Sequence, residues 1–332
     1  MPRIVQFDRF GEPAEVLRLV EEDIPEPAAG EVRVRLTSRA IHPSDLQNVR
    51  GKYGRPPPLP ATPGNDAAGV VDALGAGVTS FAPGTRVALL LGAHGGRGTW
   101  RELLCVPAQM VVPTPASLSD AQAGALWVNY LSLEAMVEDA LHLKPGDVVI
   151  QTAAGSQLGR AMVEFAKVRG LVLVNVVRRA EQAEELRAAG CAHVVTVPGE
   201  DLAARVRALT SGKGAAAAID SVGGETGAQV LAALQSGGTS VLFGALDGNP
   251  VPVDPGPFLF RELVLRGFWL TRWLQRVSPQ RVRAAVGAVL AGAERGEFRP
   301  AVDSTYPLSE VRAAVLRAET PGRKGSVVLV TG

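Results

Sequence analysis

Three groups of residues in this chain have the types and spacing to do chemistry. The first is Val148-Val149-Ile150-Gln151-Thr152-Ala153-Ala154-Gly155-Ser156-Gln157-Leu158-Gly159, an apolar run that meets small residues and becomes helical through Met162, Phe165 and Ala166. A strand that turns tightly into a helix can lay a pyrophosphate on backbone N–H groups that have no intrahelical partners. Counting back from Gly159, Ser156 takes the close-approach position of a degraded Gly-x-Gly-x-x-Gly pattern, and Ala154 takes the first. The second group, Arg178-Arg179, follows the apolar run 171–177. An NAD-selective fold places an acid roughly 20 residues after the glycine turn, on the ribose 2′-hydroxyl; here the first acid is Glu181. A carboxylate repels a 2′-phosphate, whereas guanidinium pairs with it through two hydrogen bonds. The charge pattern therefore predicts NADPH rather than NADH. The third is Tyr53, at the end of the segment 41–54 and just before a Gly- and Pro-flanked loop, 54–58. Its phenolic proton can go to a carbanion or enolate forming beside a nicotinamide. Plain alternatives stand beside each: an ordinary strand–helix turn, a solvated arginine loop and an aromatic loop anchor.

These groups need a scaffold, and its pattern changes along the chain. The first third carries short strands punctuated by Pro and Gly, such as Val32–Leu36, Gly69–Gly75 and Thr85–Leu90. From about Ala121 the pattern turns helical, until Lys144-Pro145-Gly146-Asp147 leads into the cofactor strand. Three further helix-to-strand steps follow: 181–189 into 193–196, 202–209 into 215–220, and 226–234 into 237–244. Repeated βα units predict a doubly wound parallel sheet. The expected fold is α/β: a β-rich domain over 1–122, a Rossmann domain over 123–263, and a return to the first domain over 264–332. Ligands of such sheets bind at the C-terminal strand ends, so the active site is expected in the cleft between the domains.

Composition narrows the function classes. The 332 residues suffice for two domains, and a formal net charge of +1 argues against a nucleic-acid partner. No apolar run reaches the ~20 residues of a membrane span, and no targeting segment is evident ahead of Ile4-Val5. The cytoplasm is the expected compartment. Cys105 and Cys191 lack the spacing of a disulfide or metal motif. None of His42, His94, His142 and His193 forms a close ligand pair, and Gly64-Asn65-Asp66 stands where a zinc dehydrogenase has Gly-His-Glu. No metal is expected.

His42-Pro43-Ser44-Asp45, Gly51-Lys52-Tyr53-Gly54, Leu59–Asn65, Trp127-Val128-Asn129, Leu143–Gln151, Asn175–Arg178, Ser221-Val222-Gly223-Gly224 and Leu265–Leu270 carry a resemblance that covers nearly the whole chain. Together they resemble the zinc-free medium-chain dehydrogenase/reductase superfamily, most closely its 2-enoyl thioester reductases of the mitochondrial type. The resemblance implies a GroES-like catalytic domain beside the Rossmann domain, and NADPH-dependent reduction of a trans-2-enoyl thioester. Hydride would go to Cβ and a proton to Cα, with Tyr53 as proton donor. It implies cofactor contacts from Asn129, from Gly155, Ser156, Gln157 and Leu158, and from Arg178 with Arg179 beside it. Further contacts would come from Phe243, Gly244, Ala245 and Leu246, from Phe268, Trp269, Leu270 and Thr271, and from Lys324. Tyr53 and Trp269 would shape the substrate pocket. A homodimer paired through the cofactor domains is also implied, with an acyl carrier protein as a candidate partner.

The chain departs from that pattern at His42 (usually Asn), Gln157 (usually small), Ala180 (often a second Arg) and Tyr130 (usually Pro). Two other readings stay open on sequence alone. One is an NADPH:quinone or small-enone reductase; the other is a protein that binds NADPH without turnover.

Overall fold

A computed structural model describes residues 1–90 and 98–331. In chain order its first elements are β1 (Arg3–Gln6), α1 (Pro13–Val16), β2 (Arg18–Glu21), β3 (Glu31–Ala40), α2 (Pro43–Val49), β4 (Asp66–Leu74), β5 (Arg86–Leu90), β6 (Leu103–Pro107) and β7 (Val111–Pro113). Then come α3 (Asp120–Ala123), α4 (Trp127–Ala135), a π-helical turn (Met136–Ala140), β8 (Val148–Gln151), α5 (Gln157–Arg169), β9 (Val172–Val177), α6 (Ala180–Ala188), β10 (His193–Thr196), α7 (Leu202–Leu209) and β11 (Ala215–Asp220). The chain ends with α8 (Gly224–Ala233), β12 (Leu234–Leu242), α9 (Pro255–Phe260), β13 (Val264–Gly267), α10 (Leu270–Arg276), α11 (Pro279–Glu294), β14 (Val302–Pro307), α12 (Val311–Glu319) and β15 (Ser326–Val330).

The chain forms two compact units, Met1–Asn129 with Val289–Gly332, and Tyr130–Ala288. The first is built on a sheet ordered β14-β15-β3-β4-β5-β7, with β6 also paired to β3. Pairing is antiparallel except between β14 and β15, and β15 returns to the sheet with Val328 opposite Ala40. Alternation in β3 puts Val32, Val34 and Leu36 into a core with Val71, Val87 and Leu104. That is how a sheet with one face on the core should read.

The second unit is a six-stranded sheet, β10-β9-β8-β11-β12-β13, parallel throughout. Its central strands are apolar because both faces are covered; Ile150, Val174, Val176 and Ala218 are at most 2% exposed. Each such buried aliphatic side chain larger than alanine contributes roughly 1.5–3 kcal/mol. Helix ends follow local chemistry. Ser156 caps α5, which ends at Gly170 in the left-handed region after Lys167 and Arg169, and Asp201 caps α7.

The unit boundaries differ from 122 and 264. Val264–Gly267 is the sixth strand of the parallel sheet, paired with Thr239–Leu242. Beyond it, Asp139 of the π-helical turn accepts from Trp273 Nε1 at 2.7 Å and from Arg281 Nε at 2.9 Å. These bonds keep α10 and the start of α11 in the second unit, and the chain re-enters the first only at Val289. Similarly, β12 starts at Leu234 rather than 237, continuing past the positive φ of Gly237. Among the described residues no helix is long and apolar enough to cross a membrane.

Asp303 of β14 accepts two hydrogen bonds from Arg317 of α12, each 2.8 Å, and one from the Lys324 N–H at 3.0 Å. The Arg317 bonds, helped by the other donors, hold its carboxyl at about 2. Stability from a lowered carboxyl is present above its ordinary value near ~3.9 and is lost as pH falls toward the folded value. Asp303→Asn is therefore expected to lose about 1–2 kcal/mol at neutral pH and clearly less at about pH 3, measured by urea unfolding. An equal loss at both pH values would contradict this linkage.

Candidate active site

The turn after β8 is shaped by how closely α5 approaches it. A Cβ at Gly159 would lie 2.5 Å from the Ala154 carbonyl oxygen and 2.7 Å from that of Ala153. Only glycine fits there. Ser156 Oγ accepts from the Gly159 N–H at 3.1 Å, while Gln157 and Leu158 form the first turn. Ala153 takes a positive φ of 50°. Gly155 lies under Gln182 of α6, whose Nε2 would be 2.9 Å from an added Cβ. Arg160 donates to the Gly155 carbonyl at 3.3 Å and pairs with Glu185. A backbone cradle at a 13-residue helix N-terminus fits the phosphates of a dinucleotide.

β9 ends with Val177 buried, Arg178 exposed and Arg179 half-buried as the first flanking residue of α6. Among the described residues neither arginine makes an ion pair with a carboxylate. Both lie between the end of β9 and the start of α6, the helix that carries Gln182.

Residues that sequence reasoning missed hold the neighbouring turns. Asp220, 1% exposed at the end of β11, accepts from Thr152 Oγ1 at 2.7 Å and from the N–H groups of Val222 (2.9 Å) and Gly223 (3.2 Å). Thr152 Oγ1 in turn accepts from the Ser221 N–H. The Phe243 N–H donates back to the Asp220 carbonyl at 2.8 Å, and the Leu246 N–H to that of Ser221. This places Phe243, Gly244, Ala245 and Leu246 at the strand ends, with Leu246 63% exposed. Phe268 is tied to Leu242 by its N–H, and half-buried Trp269 precedes α10, with Leu270 and Thr271 in its first turn. A buried acid ending a strand and followed by Ser-Val-Gly-Gly is the signal that could have found Asp220. Gln151 was another: buried, it bonds Asn175 and the Gly159 carbonyl beneath the cradle.

Tyr53, Asn129 and Lys324 belong to the first unit. α2 ends in a turn closed by Lys52 N–H on the Gln47 carbonyl, with Gly51 at φ +70°, where an added Cβ would lie 3.0 Å from the Phe10 ring. Both constraints favour glycine. Half-buried Tyr53 leaves from that turn. Asn129 is 7% exposed in the first turn of α4. Lys324 is exposed, with its backbone fixed by Asp303. The next residue after Asn129, Tyr130, belongs to the second unit and hydrogen-bonds Glu164 of α5 through its hydroxyl.

Near α2 lies a cluster that the sequence marked only as a departure at His42. His42 Nε2 is 3.0 Å from Asp66 Oδ2, and that oxygen also accepts from the Val128 N–H at 3.1 Å. Asp45 accepts from the His42 N–H (2.8 Å) and from Asn65 Nδ2 (2.6 Å). His42, Asp45 and Asp66 are at most 3% exposed. Burial disfavours the charged imidazole, but the bond and charge of Asp66, with Asp45, outweigh it and raise its pKa. Burial pushes the Asp45 carboxyl up to about 6. The His42–Asp45 contact is local to α2, whereas the Asp66 contact is long-range and was not legible in the sequence. Among the described residues no group of three or more His, Cys, Asp or Glu could hold a metal ion. Both cysteines are free and buried, and His94 lies outside the described residues.

Two family models match the chain: the alcohol dehydrogenase GroES-like domain over residues 28–116, and zinc-binding dehydrogenase over 158–289. The mitochondrial enoyl-[acyl-carrier-protein] reductase of Homo sapiens is 30% identical over 323 residues, covering 96% of this chain and 86% of that protein. The solved Escherichia coli quinone oxidoreductase complexed with NADPH matches with a TM-score of 0.87 at 27% identity, over 99% of both chains. A solved NAD-dependent alcohol dehydrogenase matches with a TM-score of 0.87 at 29% identity, over 100% of both.

Proposed function

The chain belongs to the medium-chain dehydrogenase/reductase superfamily of oxidoreductases and uses a nicotinamide cofactor, and on that premise we propose that it reduces the C2=C3 bond of trans-2-enoyl thioesters with NADPH. The observation that carries this reading is Tyr53, set on the Gly51 turn in a chain similar along 96% of its length to an enoyl-[acyl-carrier-protein] reductase. Arg178 and Arg179, with no carboxylate at the end of β9, support NADPH over NADH. The cofactor supplies hydride to Cβ when bound. Gly155, Ser156, Gln157 and Leu158 seat its pyrophosphate, and Arg178 with Arg179 faces the 2′-phosphate. Phe243 to Leu246, Phe268 to Thr271, Asn129 and Lys324 complete its binding, and Trp269 shapes the acyl pocket. Tyr53 holds the proton that passes to Cα as the new C–H bond forms, and its phenolate takes one back from solvent. The net reaction consumes one hydride and one proton. The acyl group would arrive on coenzyme A or an acyl carrier protein.

A quinone acceptor is the second reading, favoured by the likeness to Escherichia coli quinone oxidoreductase. Quinone oxygens take protons directly from water, whereas a carbon acid needs a positioned donor. The two acceptors therefore separate on Tyr53.

We also propose that the molecule pairs as a homodimer through β13. Among the described residues this outermost strand has no pairing partner along its outer edge, beside exposed Val264 (43%), Leu259 (68%) and Phe260 (84%). Such an edge is stable when covered, and a second copy covers it symmetrically.

Tyr53→Phe is expected to lower thioester turnover about 100-fold with NADPH affinity within twofold; unchanged turnover would remove Tyr53 from the chemistry. Arg178→Ala should weaken NADPH at least tenfold more than NADH, about 1.4 kcal/mol of selectivity, in fluorescence titrations. Equal weakening would contradict the 2′-phosphate assignment. Light scattering after gel filtration should give a two-chain mass that falls to one chain in Val264→Arg, and a wild-type monomer would overturn the pairing.

A further inference from the structure

We propose that the buried His42–Asp66 pair is the positioning element of the proton-delivery site, locking Tyr53 and Asn129 into one arrangement; this rests on the reductase reading above. Asp66 Oδ2 joins two elements at once. It meets His42 Nε2 at 3.0 Å and the Val128 N–H at 3.1 Å. His42 is the N-cap residue of α2, the helix that delivers Tyr53 through the Gly51 turn. Val128 is the residue before Asn129. One carboxylate oxygen thus fixes the origins of both functional side chains, with Thr99 Oγ1 on the Asp66 carbonyl bracing it further at 3.0 Å.

The pair needs its charge as well as its geometry. Two carboxylates face His42: Asp66 from the head of β4, and Asp45 from its own helix. Both are fully buried. Asp45 has one oxygen on the His42 N–H and the other on Asn65, while Asp66 Oδ1 has no hydrogen-bond partner. A protonated imidazole is the cation that compensates this negative charge, and a neutral one leaves two buried carboxylates facing each other. An asparagine at position 42 is neutral and too short to reach the place of Nε2, so it loses both that charge and the direct bond to Asp66. The arrangement of Tyr53 and Asn129 therefore depends on the His42 proton. Sign follows directly: the charged imidazole is present at neutral pH and is lost as pH rises through its raised value, above the ordinary ~6.5.

The test is the pH profile of kcat/KM with NADPH and crotonyl-CoA, run on wild type, His42→Asn and Asp66→Asn, with His ring NMR titration of the wild type. An alkaline limb below the ordinary phenol value of ~10 is expected in the wild type and absent in His42→Asn, whose kcat falls about tenfold while NADPH affinity stays within twofold. The resonance missing from His42→Asn should titrate above the ordinary imidazole value in wild type and move down toward it in Asp66→Asn. An alkaline limb below ~10 that wild type and His42→Asn share overturns the positioning role, as does a wild-type His42 that titrates at or below ~6.5. If either variant fails to fold, the wild-type titration still decides whether the charged pair exists. A wild type that oxidises NADPH with neither thioester nor quinone overturns the reductase reading itself, a distinct result.

Discussion

α5 begins so close to the carbonyl oxygens of Ala153 and Ala154 that residue 159 has no room for a side chain. That contact sets the angle at which the helix leaves β8, and so where its first-turn N–H groups aim. Around it the parallel sheet supplies rigidity. β8 lies between β9 and β11, and Gln151 bonds the Gly159 carbonyl from below. A cradle built this way is preorganised, because the ordering is done in folding rather than on binding.

Each unit adds one buried carboxylate with the same physical task. In the second, Asp220 gathers Thr152 and two backbone N–H groups and stitches together the turns after β8 and β11. In the first, Asp66 gathers His42 and the Val128 N–H. A buried carboxylate is costly unless donors surround it, so each acid constrains the segments that supply those donors. Asp220 is met by uncharged donors, whereas Asp66 is met by an ionisable ring. An ionisable imidazole responds to pH near neutrality.

Much of this was legible in the sequence because it depends on local pattern. The run 172–177 is apolar but for Asn175 since both faces of a parallel strand are covered, and β10, α7 and β11 fall at 193–196, 202–209 and 215–220 as their patterns predict. Small residues before Gly159 marked the tight turn into α5. Long-range pairing was less legible. Nothing local in Val264–Gly267 shows that it joins the parallel sheet, so the return to the first unit was expected 25 residues too early. His42, Asp66 and Val128 are brought together only by the fold, and appeared in the sequence as one unexplained histidine.

In the proposed function this scaffold delivers hydride and then a proton across a carbon–carbon double bond. The most direct measurement follows NADPH oxidation by absorbance with crotonyl-CoA or a longer 2-enoyl-CoA against a soluble quinone. Preferential turnover of the thioester, giving the saturated acyl product, is the predicted result. Turnover of the quinone alone would contradict it.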